Sequence, residues 1–240
     1  YIVRKLKKYW NPDEISGRMK EDKELFYAGK TAIYEWLRSR YGQRYCVYLY
    51  SKQYRAKKHS LNKTKRTLIP HRISISDRPL GATNYSRYGH YEGDTIVSGK
   101  NTGSKAALTV AYEMKAKYVG IRKIKNLKPE SHNRAMTNIL ENKKALSLTQ
   151  DNGVENTKHE LLRIPSFFCD PYCSWQKPGV ENVNKMIRRF ITKGSDINDY
   201  SEDYVMMVED ILNNKPRKSL GYKTPKEIMI KNNLFTNSKK

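Results

Sequence analysis

From Trp36 to Ser76 the chain has no acidic residue, while Arg38, Arg40, Arg44, Lys52, Arg55, Lys57, Lys58, Lys63, Lys65, Arg66 and Arg72 all fall inside that span. Like charges spaced so densely repel one another unless a polyanion neutralises them. The excess extends to the whole molecule, where 47 Lys and Arg stand against 24 Asp and Glu in 240 residues, a net charge of +23. Nucleic acid is the expected partner, ahead of an anionic membrane. No run approaches the roughly 18 apolar residues of a membrane span and no secretory signal opens the chain, so the expected location is cytoplasmic, on the nucleoid, with no membrane partner. The chain opens at Tyr1 rather than Met, which leaves room for a preceding segment. Tyr41, Tyr45, Tyr48, Tyr50 and Tyr54 are interleaved with the cations and either pack a small core or lie against sugar and base. Cys46, Cys169 and Cys173 are an odd number, which argues against a disulfide framework, and the last two read as packing residues.

On the N-terminal side, Asn11-Pro12-Asp13-Glu14 places a capping residue, a proline at the first helical position and an acid at the third, predicting a helix to about Met19. A second helix is predicted near Thr31, with Ile33, Trp36 and Leu37 inward and Lys30, Thr31, Tyr34 and Arg38 outward. Two short helices with a basic outer face fit a helix-turn-helix, although a small helical bundle gives the same pattern.

Beyond a basic connector ending at Asp77-Arg78-Pro79 the texture changes. Strands are predicted over 91–97, 104–112, 118–124, 145–149 and 166–169, and a helix over 129–142. After Pro178-Gly179, the residues Val183, Met186, Ile187 and Phe190 form an apolar helical stripe, with Glu181, Lys185 and Arg188 on the opposite face. A further helix carries Tyr204, Val205, Val208, Ile211 and Leu212, and Thr224-Pro225-Lys226-Glu227 caps a last short one. Strands, helix, strands and closing helices make a mixed α/β sheet domain.

Acids are scarce here, and three stand at element ends: Asp94 in the first strand, Asp151 after the fourth and Glu181 on the helix. Converging carboxylates repel unless a divalent cation neutralises them, and an oxygen-only set suits Mg²⁺ or Mn²⁺. Bland readings stand beside this one. Asp151-Asn152-Gly153 is a good turn, Glu181 with Lys185 is an ordinary i, i+4 pair, and Glu92 and Asp94 share a strand face. Trp175 stacks on a base or packs beneath its loop, and packing is the favoured expectation.

Five stretches in order carry a resemblance: Gly89-His90-Tyr91-Glu92-Gly93-Asp94; Thr149-Gln150-Asp151-Asn152-Gly153; Phe168 through Gln176; Glu181-Asn182-Val183-Asn184; and Asn214 through Pro225. Over about Arg78 to Met229 the chain resembles the DDE transposases of the bacterial insertion sequence 30 family, within the wider integrase-like group. Trp10 to Leu37 resembles that family's second helix-turn-helix. The resemblance implies an RNase H-like integrase core, a mixed five-stranded sheet with flanking helices. It divides the chain into a helix-turn-helix-like DNA-binding domain over 1–50, a basic linker over 51–80 and the catalytic core with C-terminal helices over 81–240. It assigns Asp94, Asp151 and Glu181 as catalytic metal ligands for Mg²⁺, with Mn²⁺ as substitute, and leaves Glu92, Asn152 and Asn184 to support them. Double-stranded DNA, both element ends and target, is then the partner, handled by a homodimer or larger assembly. Lys30, Thr31, Tyr34, Arg38, Arg55, Lys57, Lys58, Lys65, Arg66, Lys185, Arg188 and Arg189 are the expected DNA contacts. Two departures stand out. Only 29 residues separate Asp151 from Glu181, so 156–165 reads as shortened, and the family's additional front helix-turn-helix is not in this sequence.

Overall fold

The computed structural model describes residues 1–49, 69–171 and 173–236. The expected DNA contacts Arg55, Lys57, Lys58, Lys65 and Arg66, with Tyr50 and Tyr54, lie outside the described residues. Two units divide the chain: the described part of 1–65 together with Asn214–Ile228, and the described part of 66–213 together with the residues from Met229 on.

In the first unit, α1 (Ile2–Leu6), α2 (Pro12–Glu21) and α3 (Lys30–Arg38) close around buried Leu6, Trp10, Ile15, Met19, Ile33 and Leu37. The start of α2 carries the expected capping box, the Asn11 N–H donating to Glu14 Oε2 at 2.6 Å. Trp36 is only half-buried and stacks on Tyr45 with ring centroids 5.5 Å apart. Tyr48 packs edge-on against Tyr9, so these tyrosines build a core margin. Asn214–Ile228, expected with the C-terminal helices of the catalytic core, belongs instead with these N-terminal helices. Arg18 grips Glu227 with two bonds of 2.8 and 2.7 Å, Lys223 pairs with Glu21 at 3.0 Å, and the buried Lys215 and Glu14 pair at 3.3 Å.

The second unit is a mixed sheet of β1 (Ile73–Ser74), β2 (His90–Val97), β3 (Ala107–Glu113), β4 (Val119–Ile124), β5 (Ser147–Gln150) and β6 (Ser166–Phe168), in spatial order β1-β6-β5-β2-β3-β4. β2, β3 and β4 form an antiparallel meander, while β5 runs parallel to β2 and β6 parallel to β5. Among the described residues the sheet therefore has six strands, not the expected five. The sixth comes from the segment read as connector, where Ile73 and Ser74 pair in parallel with Phe167 and Phe168. Two residues are too few for alternation to announce them.

Side-chain alternation sorts the sheet into two buried layers. Leu108, Val110 and Tyr112 of β3 face α6 (Pro178–Ile187) and α7 (Glu202–Asn213), packing on Val180, Val183, Ile187, Val205, Val208 and Leu212. The intervening Ala111, with Tyr91 and Leu148, faces α5 (Pro129–Leu140) through Met136 and Ile139. α5 lies so close to β4 that a Cβ on Gly120 would come within 2.2 Å of Ile139 Cγ2. Between β5 and β6 the short segment forms only two 3₁₀ turns, Val154–Asn156 and His159–Leu162. α4 (Leu80–Thr83) precedes β2, and α8 (Pro225–Lys231) opens with reciprocal bonds between Thr224 and Glu227.

Candidate active site

On β2, Glu92, Asp94 and Ile96 share the face turned to α6, because strand side chains repeat every second residue. Glu92 pairs in register with Thr149 of β5, so Asp151, two residues further on, emerges at that strand's end beside Asp94. The first turn of α6 is pinned from below: Glu92 Oε2 accepts the Val180 N–H at 2.7 Å, filling one of the donors that a helix start leaves orphaned. This approach requires glycine at 179, where a Cβ would sit 2.2 Å from the Tyr112 ring and 2.8 Å from Glu92 Oε2. Burial pushes the Glu92 carboxyl up, against the pull of the Val180 N–H and the Lys177 charge.

Lys177, at the N-cap of α6, is buried and reaches into the same spot. Its Nζ lies 2.8 Å from the Gly93 carbonyl, 3.2 Å from Asp94 Oδ1 and 4.0 Å from Asp151 Oδ2. Desolvation alone would lower its pKa, yet the charges of Asp94 and Asp151 outweigh it and the net direction is up. The other Asp94 oxygen accepts from Asn184 Nδ2. Asp151 Oδ1 accepts from Asn156 Nδ2 at 2.9 Å and the Gly153 N–H at 3.2 Å, and Asn156 is itself held by Gln150 at 2.7 Å. Asn152 ties the end of β5 to β6, donating to the Cys169 carbonyl at 2.8 Å and accepting from Arg72 at 3.0 Å. Beneath, burial holds the His132 pKa down near 4, so that imidazole is neutral at pH 7 and adds no positive charge.

Glu181 is placed differently. Its carboxylate is half exposed and pairs with Lys185 at 3.0 Å. Among the described residues no three His, Cys, Asp or Glu side chains come together as a metal-holding group. The backbone position of Glu181 is nevertheless apt. Lys177, Glu181, Asn184 and Arg188 recur at helical spacing on one face. The first and third touch Asp94, and Arg188 donates to the Val97 carbonyl of β2 at 2.9 Å. Glu181 thus lies on the α6 stripe that runs along β2, between two residues already on Asp94.

Other expected site residues divide in the same way. Lys30, Thr31, Tyr34 and Arg38 are all exposed on α3. Arg188 spends its guanidinium on the Val97 and Thr192 carbonyls, clamping the end of α6, while Arg189 is half-buried. Trp175 overturns the packing expectation: it is 69% exposed. Lys177, Asn156 and Glu155 carry no site expectation from the sequence, and Arg72 is expected there only as one cation of the basic stretch. Burial pushes the Glu155 carboxyl up, with the charges of Asp151 and Asp94 adding to it. The one sequence signal for Lys177 was its place four residues before Glu181, on the charged side of the same helix.

The sheet thus brings Asp94, within β2, beside Asp151, just past the end of β5, on the face covered by α6, the helix that bears Glu181. No protein-family model matches the chain. It is 35% identical over 234 residues to the transposase for insertion sequence element IS4351 of Bacteroides fragilis, covering 94% of this chain and 71% of that one. It is 29% identical over 234 residues to the IS1086 transposase of Cupriavidus metallidurans, covering 92% and 68%. It is also 30% identical over 247 residues to the transposase InsI of IS30C of Escherichia coli K12, covering 95% and 63%. Among solved structures, the catalytic core domain of BIV integrase is similar at a TM-score of 0.45 and 20% identity, over 60% of this chain and 95% of that one. The chain belongs to the insertion sequence 30 family of transposases. Among the described residues no helix is long and apolar enough to cross a membrane.

Proposed function

We propose that this transposase cuts DNA at the ends of its element and joins the freed 3′-OH to target DNA, using Mg²⁺, with Mn²⁺ as substitute, held by Asp94, Asp151 and Glu181. The observation that carries this reading is that two carboxylates far apart in the chain, Asp94 within β2 and Asp151 just past the end of β5, close on one buried cation, the Lys177 ammonium. An all-oxygen set that already gathers a positive charge suits a hard divalent ion. Bound divalent ions would supply the charge that activates the attacking oxygen and stabilises the leaving one. The protein's own part is placement. Asn184 and Asn156 each hold one oxygen of Asp94 and Asp151, leaving the other to face the site. Glu181 completes the set by turning from Lys185 toward Asp94, which releases the Lys185 ammonium for a DNA phosphate. Exposed Trp175 offers a stacking surface, and α3 presents Lys30, Thr31, Tyr34 and Arg38 to the duplex. Two element ends must be handled together, which calls for a dimer or larger assembly.

The outward pairing of Glu181 with Lys185 favours a second reading, a DNA-binding regulator descended from such an enzyme. A strand-transfer assay on labelled duplexes bearing the element's ends, with Mg²⁺ or Mn²⁺ and beside Asp151→Asn, separates the two. Metal-dependent joined products that vanish in the variant are expected. Tight DNA binding with neither cleavage nor joining would overturn the enzymatic reading in favour of the regulator.

A further inference from the structure

Lys177 has no place in the three-carboxylate arrangement, yet it is the side chain most deeply committed to it. Its ammonium is buried with three oxygens around it, the Gly93 carbonyl at 2.8 Å, Asp94 Oδ1 at 3.2 Å and Asp151 Oδ2 at 4.0 Å. A buried lysine is tolerated only where its charge is matched, and here the match is the pair of acids that would otherwise repel one another. A Mg²⁺ ion needs carboxylate oxygens at about 2.0–2.1 Å. The ammonium stands between the same two carboxylates, so both cations cannot occupy that gap.

We propose that Lys177 is a built-in counter-cation, an internal stand-in for the divalent ion that holds Asp94 and Asp151 in place before metal arrives and is displaced from between them when it binds. The inference rests on the reading of Asp94 and Asp151 as metal ligands. It makes Lys177 a positioning residue that acts through the carboxylates. It also makes metal entry an exchange of one cation for another, in which the protein never carries two adjacent bare carboxylates. The Gly93 carbonyl, which also accepts from Nζ, gives the ammonium a partner that a divalent ion on the carboxylates does not take.

The test uses the full chain without DNA and reads metal binding directly. Mn²⁺ affinity is measured by electron paramagnetic resonance or calorimetry, and Tm is measured in chelator and in Mn²⁺. The proteins are wild type, Lys177→Met, Lys177→Gln and Asp151→Asn. Lys177→Met removes the charge and keeps the stem, and Lys177→Gln keeps a donor for Gly93 should the first variant fold poorly. Expected is Mn²⁺ binding on the order of tenfold tighter in the uncharged variants, the competing cation being gone. Their Tm should be lower than wild type in chelator, with a larger rise on adding Mn²⁺. A merely structural lysine would give a Tm loss that metal does not restore. Unchanged or weaker Mn²⁺ affinity in both variants, with wild-type binding still lost in Asp151→Asn, overturns the role of Lys177 alone. Mn²⁺ binding that Asp151→Asn does not alter, or none at all, overturns the carboxylate site and this proposal with it.

Discussion

In the sheet unit, apolar layers on both faces of the strands enclose Leu108, Val110 and Ile121 on one side and Met136, Ile139 and Leu148 on the other. The helical unit has a smaller apolar centre around Leu6, Ile15 and Ile33, and joins its distant tail through the pairs Arg18–Glu227, Lys215–Glu14 and Lys223–Glu21. The difference matters because burial of apolar area is indifferent to acid, whereas an ion pair needs both partners ionised and, near the surface, little salt. In the sheet unit the well-packed layers hold a few costly buried groups, Glu92 and Lys177 among them, in one geometry. In the helical unit charge is itself the fastening.

Four substitutions probe this contrast. Leu108→Ala, at a site with 0% exposure in the sheet's main layer, should destabilise by about 3 kcal/mol in denaturant unfolding. A loss below about 1 kcal/mol would mean that the layer collapses around the gap and is less rigid than its packing indicates. Gly179→Ala comes next, at about 1–3 kcal/mol, because the new methyl meets the Tyr112 ring at 2.2 Å. Strand transfer should fall with it, since the start of α6 must move off Glu92; full activity would show that the helix start need not sit where it does.

Glu227→Gln should cost about 1 kcal/mol at neutral pH, the modest figure fitting a pair partly open to solvent, and less in high salt. Its pH dependence has a definite sign. The Arg18 hydrogen bond holds the Glu227 carboxyl down near 2, below its ordinary 4.5. The stabilisation is therefore complete above about 4.5 and lost as pH falls toward 2. In a Trp175→Phe background, Trp10 and Trp36 fluorescence reports the helical unit alone. The wild-type chain should show an acid loosening in that window that Glu227→Gln has already undergone. Smallest of all, Lys223→Ala should stay within about 0.5 kcal/mol, both partners of the Lys223–Glu21 pair being some two-fifths exposed. A larger loss would show the surface pairs acting as a network.

Much of this architecture is legible in short-range pattern. The caps at Asn11 and Thr224, the stripe Val183–Ile187 and the strands of the sheet follow from spacings of two, three and four residues, which local geometry reads directly. The family follows from five ordered stretches, and with it the expectation for Asp94, Asp151 and Glu181. Other features have no local signature. The edge strand at Ile73, the exposure of Trp175 and the place of Asn214–Ile228 among the N-terminal helices are set by partners far away in the chain. So is the Lys177 ammonium between Asp94 and Asp151, since its lysine precedes a Pro-Gly break that any loop could carry. Sequence alone determined which residues alternate, cap and carry charge, because those properties belong to neighbours along the chain. Only the tertiary structure decided which buried cation meets which carboxylates, because that choice depends on how a helix start is drawn down onto a strand 83 residues before it, with Glu92 and Gly179 making the close approach possible.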